Sequence, residues 1–310
     1  VIFTADWHLR KNPPRSRTDD YWSVQERKLR FILKLAQESP PLLVAGDFFD
    51  QPRPGPFLEC WTIKLLKEYN IRPIVVPGQH DMPGHSLDQL PDSGLGVLAA
   101  AGVIHIVEEF SQPVIIPTGT EIIWGCAYGQ NPHPSMNDNQ RFNILLWHYM
   151  VIDSPLWPGQ IADHASTILK KFQQFDLIVT GDNHQTFTVQ PDKPGDKGRF
   201  ISGGTGRCLV NPGSMMRMTA AQVNHCPCVF KWESGELEQV FLPIEKDVLD
   251  LTDLERTQEK NGRISAFIES LDNQYEIGLS YNKNLEEHMR VNETNPKVQE
   301  IVWRSLENDK

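Results

Sequence analysis

Five short apolar runs in this chain stop in the same manner, each giving way within a few residues to carboxylate, imidazole or amide side chains. Val1-Ile2-Phe3 leads to Asp6 and His8, and Leu42-Leu43-Val44 leads to Gly46-Asp47 with Asp50 behind it. Ile74-Val75-Val76 leads to Gly78-Gln79-His80-Asp81, Ile144-Leu145-Leu146 to His148, and Leu177-Ile178-Val179 to Gly181-Asp182-Asn183-His184. Continuous β-branched and leucine-rich runs of this kind read as strands buried on both faces. Loops leaving the carboxyl ends of such strands share one rim, where α/β proteins bind ligands. The five loops therefore bring their donors to one place. Oxygen and nitrogen donors without thiolate suit Mn²⁺, Fe²⁺, Mg²⁺ or Zn²⁺. Any single Asp or His here has a duller explanation, a helix cap or a hydrogen-bonded loop. The five together point to a metal site.

The rest of the pattern is that of an α/β protein. Strand-like Val1–Ala5, Leu42–Ala45, Arg72–Val76, Ile122–Cys126, Asn143–Trp147 and Leu177–Thr180 are interleaved with helix-period Tyr21–Gln37, Pro56–Tyr69 and Gln160–Gln174. From about residue 185 the texture shifts to short strands: Thr186–Val189, Phe200–Ser202, Cys208–Val210, then Val229–Trp232 and Glu238–Leu242 around a Ser234-Gly235 turn. The expectation is two packed β-sheets flanked by helices. The last sixty residues differ: Thr252 to Glu255 fits a capping box, and Asn261-Gly262 breaks the helix that would follow. Near the end Asn295 is placed to cap a helix with Pro296 at its first position. Val298, Ile301, Val302 and Leu306 would form one apolar face with Trp303 beside it, to pack back or to meet a partner.

Composition excludes several classes. With 39% hydrophobic and 23% charged residues, the chain is neither disordered nor collagenous. Its longest apolar-plus-glycine run, Leu95–Ile104, is ten residues, against about 18 needed to span a bilayer. No secretory signal opens it, and Val1 already lies inside a strand-like run, as if a few residues preceded it. Five irregularly spaced cysteines do not suggest a disulfide framework, which favours a reducing, cytoplasmic setting. The net charge of −10 is unevenly spread: residues 1–100 hold 12 basic and 12 acidic side chains, whereas 101–245 and 246–310 each hold 9 and 14. Within the first third, Arg10, Lys11, Arg15, Arg17, Arg27, Lys28 and Arg30 form a basic stretch where an anionic ligand would be met.

The order of these motifs resembles the calcineurin-like metallophosphoesterases, whose signature runs D-x-H, G-D-x-x-D, G-N-H-D/E, H and G-H-x-H. Here it reads Asp6-Trp7-His8, Gly46-Asp47-Phe48-Phe49-Asp50, Gly78-Gln79-His80-Asp81, His148 and Gly181-Asp182-Asn183-His184, over residues 1 to about 215. The resemblance implies a four-layer sandwich over 1–215, a cap and hairpin region over 216–250, and a partner-binding helical tail over 251–310. It implies two divalent ions, Mn²⁺ before Mg²⁺, the first held by Asp6, His8, Asp47 and His184. The second would share Asp47 and add Gln79, His148 and Asp182. It implies in-line attack by a hydroxide bridging the ions, with His80 as proton donor and Asp50 as the group orienting it, unless Asp50 merely caps the following helix. Gln79 stands where asparagine is usual, and Asp182 where histidine is usual. A longer amide facing a shorter carboxylate reads as a coupled swap toward hard oxygen donors, against the alternative of a weakened second site.

The superfamily cleaves several phosphoesters. Gly46 to Arg53-Pro54 looks like the SbcD-type DNA-repair nucleases, which implies DNA as substrate, an SbcC-type coiled-coil ATPase as partner, a homodimer, and a bacterial or phage-infected cytoplasm, with no membrane role. On that reading Arg10, Lys11, Arg15, Arg17, Arg53 and Arg217 are candidate contacts to DNA phosphates. The rival readings are a cyclic-nucleotide or phosphomonoester phosphohydrolase and, further off, a metal-free scaffold. His225-Cys226-Pro227-Cys228 has the wrong spacing for a zinc knuckle, and Gly203-Gly204-Thr205-Gly206 lacks the lysine of a phosphate-binding loop.

Overall fold

The computed structural model describes residues 1–107, 112–117, 119–133, 138, 140–155, 162–190, 200–201, 207–233, 236–252, 285–286, 289–290 and 292–307. The Gly203-Gly204-Thr205-Gly206 run, the expected Ser234-Gly235 turn, Ser202, and the expected helix and break between 253 and 262 lie outside these residues. The chain divides into two compact units, Val1–Asp250 and Leu251–Lys310.

In the first unit the strands are β1 (Ile2–Thr4), β2 (Leu42–Ala45), β3 (Ile74–Val76), β4 (His105–Ile106), β5 (Val114–Ile115), β6 (Glu121–Cys126), β7 (Phe142–His148), β8 (Val151–Ile152), β9 (Asp163–His164), β10 (Leu177–Gly181), β11 (Phe187–Val189), β12 (Phe200–Ile201), β13 (Cys208–Asn211), β14 (Cys228–Glu233) and β15 (Glu236–Phe241). The helices are α1 (Tyr21–Glu38), α2 (Pro56–Tyr69), α3 (Gly94–Ala100) and α4 (Ala165–Lys171). One sheet has the order β12-β15-β14-β1-β2-β3-β4, and the other β11-β13-β10-β7-β6-β5. In the first, β1 to β4 are parallel and β14, β15 and β12 antiparallel to their neighbours. In the second, β6, β7, β10 and β13 are parallel, with β5 and β11 antiparallel at its edges. A short parallel pair, β8 with β9, stands apart.

Period-two alternation in the strands produces the layers. Phe3, Leu43, Val76 and Phe230 meet Ile123, Leu146, Val179 and Val210 between the sheets. The alternate residues Ile2, Leu42, Val44 and Val75 pack against Leu29, Ile32 and Leu33 of α1 and Leu58, Leu65 and Leu66 of α2. On the far side Leu145, Trp147, Ile178 and Leu209 pack against Ile168 and Leu169 of α4. The result is an α/β fold of two mixed sheets flanked by helices.

Local signals account for the helix ends. Asp20 caps α1 by accepting from the Ser23 N–H at 3.2 Å. Pro56 opens α2, and Asn70, at φ 52°, closes it in the left-handed region that asparagine tolerates. Of the described residues in the stretch expected to be helical over 160–174, Ala165 to Lys171 are helical; Asp163 and His164 are taken into β9 instead.

In the second unit Pro296–Glu307 form a helix, called α5 here. The Asn295 side chain accepts from Lys297 N–H at 3.0 Å, so the helix starts at the expected cap. Val298 and Ile301 on its apolar face are exposed. Among the described residues, no helix is long and apolar enough to cross a membrane.

Candidate metal centre

The parallel strands β1, β2 and β3 of one sheet and β7 and β10 of the other end on a common rim, and their loops are stitched across it. Asp6 N–H donates to Gly46 O at 3.1 Å and His8 N–H to Asp47 O at 2.9 Å. Between the sheets, Asp182 N–H donates to both Asp6 carboxylate oxygens, at 3.1 and 3.2 Å, and His148 Nδ1–H donates to Ala45 O at 2.7 Å. Gly78 has ordinary extended backbone, yet a Cβ there would overlap the Asp47 carboxylate; only glycine allows that approach.

These contacts gather ligand atoms of Asp6, His8 and His184, of His8, Asp47 and His80, and of Asp6, Asp47 and His148, each trio within 4.8 Å of one another. Asp47 lies between two imidazoles, its Oδ2 being 3.6 Å from His8 Nε2 and 3.5 Å from His148 Nε2. His8 Nε2 and His184 Nε2 stand 3.1 Å apart. Gln79 closes the cluster, its Oε1 2.6 Å from His148 Nε2 and its Nε2 donating to Asp182 Oδ1 at 2.7 Å. His80 is the exposed member. Its Nδ1 donates to the main-chain oxygen of Asp50 at 2.8 Å. The Asp50 carboxylate, expected to make that bond, faces Arg10 at 3.0 Å and His8 Nδ1 at 3.7 Å instead. Nor does it cap α2, which starts from Gly55 without a side-chain cap.

Three features fit this donor set to divalent cations. Asp47 Oδ2 and His8 Nδ1 are buried without a hydrogen-bond partner, which is costly unless something positive supplies one. Asp6, His8, Asp47 and Asp182 all have left-handed backbone, at φ 48°, 43°, 50° and 78°, and strain of this kind, about 1–3 kcal/mol per residue, concentrates at functional sites. The donors are carboxylate, imidazole and amide, and none of the metal-capable groups among the described residues includes a cysteine. All five cysteines are free thiols, and His225 is spent on Ser214 O at 2.7 Å.

By themselves these groups perturb one another strongly. Burial, reinforced by Asp47 and Asp182, raises Asp6 well above the usual carboxylate range. Burial acts the same way on Asp47, but His148, His8 and His80 prevail and hold it below that range. Burial lowers His8 to about 3 and lowers His184 as well. Burial also opposes charge on His148, yet the Asp47, Asp6 and Asp182 carboxylates outweigh it and raise this imidazole to about 10.

The candidate phosphate contacts divide. Arg10 lies beside the cluster through Asp50, and Lys11 sits over the Phe57 ring at 4.8 Å. Arg15 is exposed, and Arg53 Nε donates to Asp92 O at 3.3 Å. Arg17 and Arg217 are not brought to the surface with them. Arg17 is 7% exposed, bound to Asp19 at 2.7 Å and to Arg217 O at 2.8 Å. Arg217 is 8% exposed and donates to the carbonyls of Val223 and Glu245. Arg17 is consumed by the Asp19 carboxylate and one carbonyl, and Arg217 by main-chain carbonyls alone.

Two supports escaped the sequence reading. The buried Asp81 carboxylate accepts from the N–H groups of Phe48, Phe49 and Gly78 at 3.0–3.2 Å, tying the Asp47 loop to the Gln79 loop. Asn211 donates to the carbonyls of Asn183 and Gln185 at 2.5 and 2.6 Å, and Asn183 to Val151 O at 2.8 Å, which fixes the loop carrying Asp182 and His184. A polar residue at a buried strand end, as Asn211 is, was the available signal.

Two packed sheets with a shared carboxylate between imidazoles at their common rim define an α/β protein with a candidate binuclear metal centre. Residues 1–186 match the calcineurin-like phosphoesterase family, and the chain belongs to it. No curated protein matches the chain. Similar solved structures include a metallophosphoesterase from Sphaerobacter thermophilus, 14% identical over 84% of this chain and 93% of that one, with a TM-score of 0.39. The protein TT1561 of Thermus thermophilus is 12% identical over 78% of this chain and 98% of its own, with a TM-score of 0.43. A 5'-nucleotidase precursor from the same organism is 15% identical over 86% of this chain and 59% of its own, with a TM-score of 0.40.

Proposed function

We propose that the chain is a two-metal phosphodiesterase acting on DNA, the SbcD-type nuclease subunit of a homodimeric complex with an SbcC-type coiled-coil ATPase. The observation that carries the two-metal reading is Asp47, whose unpartnered Oδ2 lies 3.6 Å from one imidazole and 3.5 Å from another. Asp6, His8, Asp47 and His184 would hold one cation, and Asp47, Gln79, His148 and Asp182 the second. Bound there, two divalent ions, Mn²⁺ or Mg²⁺, supply Lewis acidity toward the phosphoryl oxygens and the attacking water. The protein's own part is orientation and proton delivery. A carbonyl only accepts, so the bond to Asp50 O keeps a proton on His80 Nδ1 and leaves Nε2 to carry the proton passed to the leaving oxygen.

DNA is favoured by the basic loop that leaves β1. Arg10, side chain 30% exposed, is held beside the cluster by Asp50, with Lys11 and Arg15 following it. Cations there would track a phosphate backbone entering the site. The exposed apolar residues of α5 suit the partner-binding role proposed for residues 251–310.

End-labelled linear DNA incubated with the protein and Mn²⁺, with an EDTA control, tests the reading. Metal-dependent degradation is expected, and His80→Ala should keep its metals while losing about 10²–10⁴-fold in rate. If bis-p-nitrophenyl phosphate is cleaved and DNA is not, even with a partner ATPase present, the DNA assignment fails and a small-phosphoester hydrolase takes its place.

A further inference from the structure

Gln79 does more than occupy the place of a usual asparagine. Its amide spans two side chains of the other sheet: Oε1 lies 2.6 Å from His148 Nε2, and Nε2 donates to Asp182 Oδ1 at 2.7 Å. The orientation is forced, because a carboxylate only accepts and the amide nitrogen must therefore face Asp182. Gln79 belongs to the loop after β3, His148 ends β7 and Asp182 follows β10, so one side chain bridges both sheets. A side chain one methylene shorter at 79 would not reach both partners. An imidazole is longer than the carboxylate at 182, so here the longer amide faces the shorter partner. The two departures from the family pattern therefore compensate each other in length.

They do not compensate in chemistry. Asp182 adds a third carboxylate to Asp6 and Asp47, and it replaces a nitrogen donor with a hard oxygen. Nitrogen donors favour Zn²⁺ over Mn²⁺, and carboxylates suit Mn²⁺ and Mg²⁺. We infer that Gln79 and Asp182 act as one interdependent pair that builds the second cation position and sets its preference for Mn²⁺ or Mg²⁺ over Zn²⁺. This inference rests on the metal-centre reading above. Gln79 is a positioning residue as well as a metal donor, since its Nε2 bond to Asp182 Oδ1 persists when its Oε1 and His148 Nε2 turn to a cation, while Ala45 O holds His148 through Nδ1.

The test is a double-variant cycle read by metal binding: wild type, Gln79→Asn, Asp182→His and the pair together, titrated with Mn²⁺ and with Zn²⁺ by calorimetry. Wild type should bind two Mn²⁺ per chain. Each single variant should lose about 10–100-fold in affinity for the second ion only. The double variant should recover the second ion, with its Zn²⁺-over-Mn²⁺ preference raised at least about tenfold. Single variants that keep both ions at full affinity, a double variant no better than the worse single one, or an unmoved preference would each overturn the inference. Circular dichroism reports whether the variants fold. Should Asp182→His not fold, Asp182→Asn, which keeps size and an acceptor, must by itself weaken the second Mn²⁺ about tenfold or more; unchanged affinity defeats the inference. Wild type binding no divalent ion would remove the metal centre itself. Two bound Mn²⁺ with a failed cycle would leave the nuclease reading standing and refute only the pairing.

Discussion

Gly78→Ala isolates the shared carboxylate. Gly78 has φ −94° and ψ 176°, extended backbone open to any residue, so alanine costs nothing in conformation there. What it introduces is a methyl where the Asp47 carboxylate and main-chain nitrogen already stand. Relief requires Asp47 or the Gly78 loop to shift by roughly an ångström, and overpacking of this kind costs about 1–3 kcal/mol. The loop has little freedom to give. Asp47 Oδ1 accepts from His80 N–H at 2.9 Å, and Gly78 N–H is bound to the Asp81 carboxylate at 3.0 Å. For a unit of this size, that loss lowers the melting temperature by about 2–4 °C per kcal/mol. The larger effect falls on the cations. Asp47 serves both positions, so a misplacement of about 1 Å should cost both about 10²-fold in affinity or function. Calorimetric Mn²⁺ titration and a thermal melt measure the two consequences together. A variant that melts lower but binds two Mn²⁺ at wild-type affinity would show that Asp47 is not the shared ligand.

Other consequences follow from charge. His148, raised to about 10 by its carboxylate neighbours, is protonated at neutral pH and must release that proton before Nε2 can serve a cation. Second-site affinity should therefore climb with pH between 7 and 9, by about tenfold per unit; calorimetry in buffers of different ionisation enthalpy should detect the proton, and none released would contradict the assignment. Lys28, 1% exposed and 3.7 Å from Glu245, is lowered by burial to about 8. Its folded value lies below the ordinary 10.5, so the unfolded chain holds more protons between these values and stability rises with pH through that window. Lys28→Met should stabilise the protein at pH 7 by about 1–3 kcal/mol and flatten the rise; a lower melting temperature at pH 7 would show that the lysine's contacts to Met215 O and Glu245 outweigh its burial.

The elements that could be read from the sequence are those whose cause is local. Pro56 and Asn70 bound α2, Asn295 opens α5, and uninterrupted apolar runs mark β2, β7 and β10. The helix α3 went unread because Leu95–Ile104 is apolar throughout and carries neither period. The two-residue strands β4 and β5 exist only as partners to longer strands, and β8 and β9 only as partners to each other, so no run of their own announces them.

The same division holds at the site. Donor-rich loops after parallel strands are a property of the sequence, and the structure brings Asp6, His8, Asp47, Gln79, His148, Asp182 and His184 into one cluster. Which atom each donor faces is a property of the packing. Asp50 turns its carbonyl, not its carboxylate, to His80. Arg17 and Arg217, basic residues like the others on paper, are folded inward onto main-chain carbonyls. The Gln79–Asp182 bond joins residues 103 positions apart, across two sheets whose register depends on every strand between them. Residue type and strand periodicity act within a few residues and are written in the chain. Side-chain partners arise where distant strand ends meet, and only the packed sheets decide that.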